Sequence, residues 1–204
     1  MSSSPPLPVP NHHAHHAGFS GLRGLAAALS MTVGRTAIAR LAADLVAVSE
    51  TDRVVDVGCG PGTAAREAAR RGAQVTGIDP APVMLAVARR IPGRRHITWM
   101  SGAAESVALP DDSQTIAWSL STVHHWADIR AGLAECFRVL QPGGRFLAIE
   151  RNELDGARGH ASHGWTDGQG AAFAEECRTT GFDAGVSTHG VDRGKVIVVL
   201  GTKP

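Results

Sequence analysis

Three groups of residues have types and spacings suited to chemistry. The first is Asp56 with glycines at 58, 60 and 62, set between Val54, Val55 and Val57 and a small-residue helical stretch from Thr63 to Arg71. Glycine lacks the Cβ that would hold a ligand off, so this loop is built for approach at backbone distance. Its spacing is G-x-G-x-G, with threonine at 63 where a dinucleotide fingerprint has glycine. Asp56 inside the strand would also oppose a pyrophosphate, and a cationic ligand fits better. The second group is Asp79, which ends the strand-like stretch Gln74–Asp79. A carboxylate about twenty residues beyond a glycine loop can accept two ribose hydroxyl bonds, and their charge makes each worth roughly 1.5 to 3 kcal/mol. The third is the pair His124-His125 before Trp126. In a loop facing a pocket, a neutral imidazole takes a proton from a substrate hydroxyl or amine, which makes His125 a candidate general base; the alternative is that one histidine packs to hold the loop.

The run Val55-Asp56-Val57-Gly58-Cys59-Gly60-Pro61-Gly62 resembles motif I of the class I S-adenosylmethionine-dependent methyltransferases. The resemblance implies that Gly58, Cys59, Gly60 and Gly62 pack against the methionine part of S-adenosylmethionine, with Asp56 near its ammonium group. It also implies that Asp79, followed by Pro80, holds the ribose. Ser101-Gly102-Ala103-Ala104-Glu105 and then Leu109-Pro110 resemble the family's Gly-Asp-Ala-Glu…Leu-Pro stretch, whose acid and following backbone contact adenine. Here Ala103 takes the place of the acid, which leaves the ring to the backbone of Ala103 and Ala104 beside Glu105, with apolar contact from Met84 or Met100. Ser119, near the end of the fourth strand, completes the expected cofactor set. Phe137-Arg138-Val139-Leu140-Gln141-Pro142-Gly143-Gly144-Arg145 matches the family's Arg-Val-Leu-x-Pro-Gly-Gly return into the sheet. His16, His124, Trp126 and Trp165 are candidates for the substrate pocket or a lid over it.

The implied reaction is direct S_N2 transfer of the sulfonium methyl to an O, N, S or C nucleophile of a small molecule, leaving S-adenosyl-L-homocysteine. It asks mainly for alignment and exclusion of water. No metal is required, and the site is expected to hold none. The implied fold is a Rossmann-like α/β three-layer sandwich whose seven-stranded, mostly parallel sheet has its last strand antiparallel, over about residues 36 to 204.

The elements that must position these groups can be read from periodicity. Ile38, Leu41, Ala42, Leu45 and Val46 mark one face of a helix over 36–47. Strands are expected at 53–57, 74–79, 96–100, 115–120 and 145–150, with helices at 63–71, from Pro82 to about Arg90, and from an Asp128 cap to Leu140. A helix over 167–180 ends at Gly181, and two strands, about 182–190 and 195–201, close the sheet as a hairpin. Residues 151 to 166, with His160, His163 and Trp165, are irregular and lie where acceptor pockets vary.

Length and composition fit one soluble domain over 18–204: 204 residues, 43% apolar, 19% charged, net charge +1. That balance gives no footprint for nucleic acid and no polybasic membrane patch. Cys59, Cys136 and Cys177 are odd in number without C-x-x-C spacing, which suggests reduced thiols, a cytoplasmic setting and no zinc site. Arginine, alanine and glycine abundance suggests a bacterial gene. Residues 1 to 17 form a proline-, serine- and histidine-rich tail, disordered or lid-forming, in which His12, His13, His15 and His16 leave both a lid and transition-metal binding open. The rival functions are a non-catalytic S-adenosylmethionine-binding regulator and a nicotinamide-dependent oxidoreductase. A nucleic-acid methyltransferase would carry an Asn/Asp-Pro-Pro-aromatic loop where this chain has Ser121-Thr122-Val123-His124-His125-Trp126. The oligomeric state is not encoded in any of these patterns.

Overall fold

The strongest β-forming runs of the chain, rich in valine and isoleucine, become the inner strands of one sheet. The structure, a computed structural model, describes residues 10–11, 35–92, 97–154, 163–192 and 194–204. Most of the amino-terminal tail, His16 included, lies outside the described residues, as does the weak helical spacing of 18–33. In chain order the elements are α1 (Thr36–Leu45), β1 (Arg53–Val57), α2 (Thr63–Arg70), β2 (Gln74–Asp79), α3 (Pro82–Arg90), β3 (Ile97–Ser101) and β4 (Gln114–Leu120). A 3₁₀ turn (Val123–His125), α4 (Ile129–Val139), β5 (Leu140–Arg151), α5 (Asp167–Thr180), β6 (Asp183–Val191) and β7 (Gly194–Thr202) follow.

The sheet order is β3-β2-β1-β4-β5-β7-β6, and β7 runs antiparallel to both of its neighbours while the other pairings are parallel. The expected architecture is therefore the observed one. Alternate residues of the central strands enter opposite cores, as a pleated strand covered on both sides requires. Val54, Ile116, Trp118, Leu147 and Val198 pack with α1 and α2, whereas Val55, Ala117, Phe146, Ala148 and Val199 pack with α4 and α5. Edge strand β6 is mostly exposed.

The expected boundaries differ from the observed ones chiefly at β5, which begins at Leu140 and not at 145. Leu140 pairs with Gln114 across a register shift, and Gly143 and Gly144 bond to Lys203, so the Pro-Gly-Gly return is itself held in the sheet. The order reverses at β1 and β4, the crevice where open parallel sheets take ligands beyond their carboxyl ends.

Candidate active site

The glycine loop after β1 owes its shape to packing as well as to torsion. Gly58 (φ +74) and Gly62 (φ +83) are left-handed, and a Cβ at either would fall 2.2 Å from Thr122 or from the ring of Trp99. Gly60 (φ +54) is left-handed too, but a Cβ there would meet nothing within 4 Å. The loop is thus sealed on two sides and open in the middle. Its backbone is fastened to the end of β2: the Gly58 and Cys59 N–H groups donate to the Ile78 carbonyl at 2.8 and 2.9 Å. The Gly60 N–H donates to Asp79 Oδ2 and the Ala81 N–H to Asp79 Oδ1, both at 2.8 Å. A carboxylate oxygen has a second lone pair, so Asp79 keeps acceptor capacity for ribose while locking the loop.

Asp56 is 1% exposed, and its Oδ2 has no hydrogen-bond partner. Burial pushes its carboxyl up to about 7, with the nearby Trp118 and Ala65 tempering the shift and the charge of Asp79 adding to it. Trp118 faces Asp56 across the β1–β4 register, and its Nε1 also lacks a partner of normal geometry. Burial likewise raises Asp79, against the hydrogen bonds from Ala81 and Gly60. Arg35, at the start of α1, lies within electrostatic reach of Glu150, Asp56 and Asp79; burial lowers its pKa and these carboxylates oppose the shift. An orphaned buried carboxylate oxygen beside an open glycine loop fits a ligand that brings an ammonium group. The S-adenosylmethionine suggested by motif I therefore suits the residues present.

At the other end of the crevice are histidines. Ser121, left-handed at φ 57 though not glycine, turns the chain out of β4, and its N–H donates to the Ile149 carbonyl at 2.7 Å. The 3₁₀ turn then presents His124 and His125, whose ring centroids are 4.1 Å apart. His124 is 2% exposed, and its Nδ1 pairs at 2.9 Å with Oε2 of Glu150, which is 0% exposed. His163 joins them with ring centroids 5.6 Å from His124 and 5.5 Å from His125. Two backbone bonds of 2.8 Å, from Trp165 N–H to the Arg151 carbonyl and from Glu153 N–H to the Trp165 carbonyl, hold that segment against the end of β5. Thr122, the neighbour of Gly58, links this cluster to the glycine loop, and its Oγ1 pairs at 2.9 Å with that of Ser119.

The other expected residues are distributed as follows. Cys59 is buried, its pKa well up through burial. Pro80 is exposed, and Met84 is buried in a small cluster with Val87. Ala103 and Glu105 are half-buried, with Glu105 accepting the Asp128 N–H at 3.1 Å, while Ala104 lies in the core. Trp126 and Trp165, the candidates for pocket or lid, are buried in the core beside Phe173. Trp165 Nε1 donates to the Pro10 carbonyl at 2.9 Å and Asn11 Nδ2 to the Trp126 carbonyl at 2.9 Å, which brings these two tail residues against both tryptophans. Cys59, Cys136 and Cys177 are free and buried. His160 lies outside the described residues. Arg35, Thr122 and Glu150 were not singled out by spacing: a lone arginine, threonine or glutamate carries no motif until the sheet brings it to the crevice. A cleft lined by Arg53, Gln74 and Thr98 lies at the amino ends of the strands, away from this chemistry, and has one charged residue in its lining.

Comparison with known proteins agrees with the geometry. Residues 55–148 match the family described as a methyltransferase domain. The chain is 41% identical over 96 residues to a malonyl-[acyl-carrier protein] O-methyltransferase of Serratia marcescens, covering 47% of this chain and 37% of that protein. It is 37% identical over 112 residues to a demethylmenaquinone methyltransferase of Tropheryma whipplei, covering 54% and 46%. These matches span less than half the length of either relative. The crystal structure of an S-adenosylmethionine-dependent methyltransferase from Aquifex aeolicus superposes with a TM-score of 0.73 at 15% identity, over 88% of this chain and 98% of that one, a likeness of fold. Residues 55–148 thus form a methyltransferase domain of the S-adenosylmethionine-dependent kind, and S-adenosylmethionine is the cofactor of that domain.

Proposed function

We propose that this protein transfers a methyl group from S-adenosylmethionine to a small-molecule nucleophile. The observation that carries the reading is the orphaned Oδ2 of buried Asp56 beside the open face of the loop at Gly60. Asp56 meets the ammonium of the cofactor, Arg35 stands by for its carboxylate, and Asp79 takes the ribose hydroxyls. The backbone of Ala103 and Ala104, beside Glu105, borders the adenine. When bound, the cofactor supplies an electrophilic methyl carbon on sulfur. Acceptor hydrogen leaves as a proton, the acceptor gains the methyl, and S-adenosylhomocysteine remains. What the chain contributes is alignment and exclusion of water, with His125 at the acceptor end as the residue that activates the nucleophile. The relatives' names make a demethylmenaquinone and a malonyl-[acyl-carrier protein] the first acceptors to try.

Calorimetric titration with S-adenosylhomocysteine beside NADH tests this reading. Micromolar binding of the former alone is expected, and binding of NADH alone would refute it. Asp79→Ala should weaken S-adenosylhomocysteine binding about tenfold or more, since 1.36 kcal/mol is one decade; unchanged affinity would remove the ribose assignment. Turnover of any acceptor separates the enzyme from a binding-only regulator.

A further inference from the structure

We infer that His124, His125 and His163 form a mononuclear site for a divalent transition metal of the imidazole-preferring kind, with Zn²⁺ as the reference ion. The three ligand nitrogens lie within 4.8 Å of one another. A tetrahedral ion with Zn–N bonds of about 2.0–2.1 Å needs ligand nitrogens roughly 3.4 Å apart, so binding would draw the half-buried rings of His125 and His163 in toward that of His124. Three histidines with one position left open is the donor set of a catalytic rather than a structural zinc site.

The support behind the ligands is what separates this cluster from a chance gathering of imidazoles. Glu150, as a carboxylate, only accepts, so the 2.9 Å contact assigns the proton to His124 Nδ1 and makes Nε2 the ligand atom of the inferred site. Both groups are buried, which holds the ring in one orientation. His125 is fixed by the 3₁₀ turn, its N–H donating to the Thr122 carbonyl at 2.9 Å. His163 comes from a distant segment pinned to β5 by the two Trp165 backbone bonds. Imidazole suits zinc, iron, nickel and copper, and the absence of a carboxylate ligand among the three disfavours magnesium or calcium.

The role of such a metal rests on the methyl-transfer reading. Its open position would take the acceptor, and an acceptor O–H, N–H or S–H bound to the ion would lose its proton to solvent. The freed lone pair forms the bond to the methyl carbon, and the carbon–sulfur bond breaks with its electrons staying on sulfur. His125 then activates the nucleophile as a ligand rather than by taking the proton itself.

The experiment is metal binding by the full chain after chelator treatment. Zn²⁺ is measured by equilibrium dialysis with elemental analysis, and Co²⁺ by its visible absorption. One equivalent bound at micromolar concentration or tighter is expected. His125→Ala and His163→Ala should each weaken it a hundredfold or more. Glu150→Gln should weaken it ten- to a hundredfold, the usual cost of losing a carboxylate behind a ligating histidine. Should Glu150→Gln fail to fold, the half-exposed His163 keeps the test alive. A chain carrying H12A, H13A, H15A and H16A together should keep the equivalent. No saturable zinc binding, or its loss in that tail variant with retention in His163→Ala, would overturn the site. S-adenosylhomocysteine titrated into the metal-free protein reads the cofactor assignment separately, so either can fail alone.

Discussion

A buried carboxylate with one oxygen lacking a hydrogen-bond partner costs stability unless it stays protonated or meets a cation, and Asp56 is such a group. Its carboxyl holds its proton up to about 7 in the folded chain, against 3.8 as the ordinary value. Between those values the folded state binds more protons than the unfolded state, so this residue's contribution falls as pH rises through the window and levels off above it. The melting temperature of the ligand-free protein should therefore drop, relative to Asp56→Asn, as pH rises from about 4 to about 7. Parallel curves for the two proteins would show that Asp56 ionises normally. The three thiols differ from this carboxyl in consequence: burial raises Cys59, Cys136 and Cys177 alike, which keeps them as unreactive packing groups.

At the scale of elements, the acceptor end depends on how the chain leaves β4 and enters α4. The Asp128 side chain accepts from the Arg130 N–H at 2.8 Å and from the Ala131 N–H at 3.1 Å, capping α4 directly after the histidine turn. Asp128→Ala should cost about 1 kcal/mol, read as a lower urea midpoint with an unchanged slope. An unaltered midpoint would mean that packing alone sets the start of α4. This cap was legible in the sequence, because aspartate before a 3.6-residue apolar period is a local signal. Glu150 was not: it follows the apolar run Phe146–Ile149 near the end of β5 and meets His124 only through the β4–β5 pairing.

For the whole molecule, the aromatic layer between the sheet and α5 joins stability to the site. Phe173 is fully buried and packs against Trp165, with ring centroids 4.8 Å apart, and against Phe146 and Trp126 at 6.1 and 6.3 Å. Trp126 directly follows His125, and Trp165 lies two residues after His163. Phe173→Ala should therefore cost about 3 to 5 kcal/mol, measured by denaturant unfolding, because the cavity cannot collapse among rings of that size. A loss below about 1 kcal/mol would mean that the layer repacks freely. No helix among the described residues is long and apolar enough to cross a membrane.

By itself the sequence determined the order of strands and helices, the glycine loop and the two aspartates that follow it. Each rests on a local rule: a period of two or 3.6, a cap, a turn residue, or a spacing fixed by one β-α-β unit. The unalternating apolar run from Val196 to Leu200 reads as a strand covered on both faces, and Val196 to Val199 are buried so, whereas Leu200, near the strand's end, is exposed. Tertiary structure alone decided which distant groups meet. Arg35 comes within reach of Asp56, Asp79 and Glu150, Thr122 closes on Gly58, and His163 joins a histidine pair 38 residues earlier in the chain. Such convergence is set by sheet order and by the bridge from Asn152 to Trp165, and neither leaves a periodic mark along the chain.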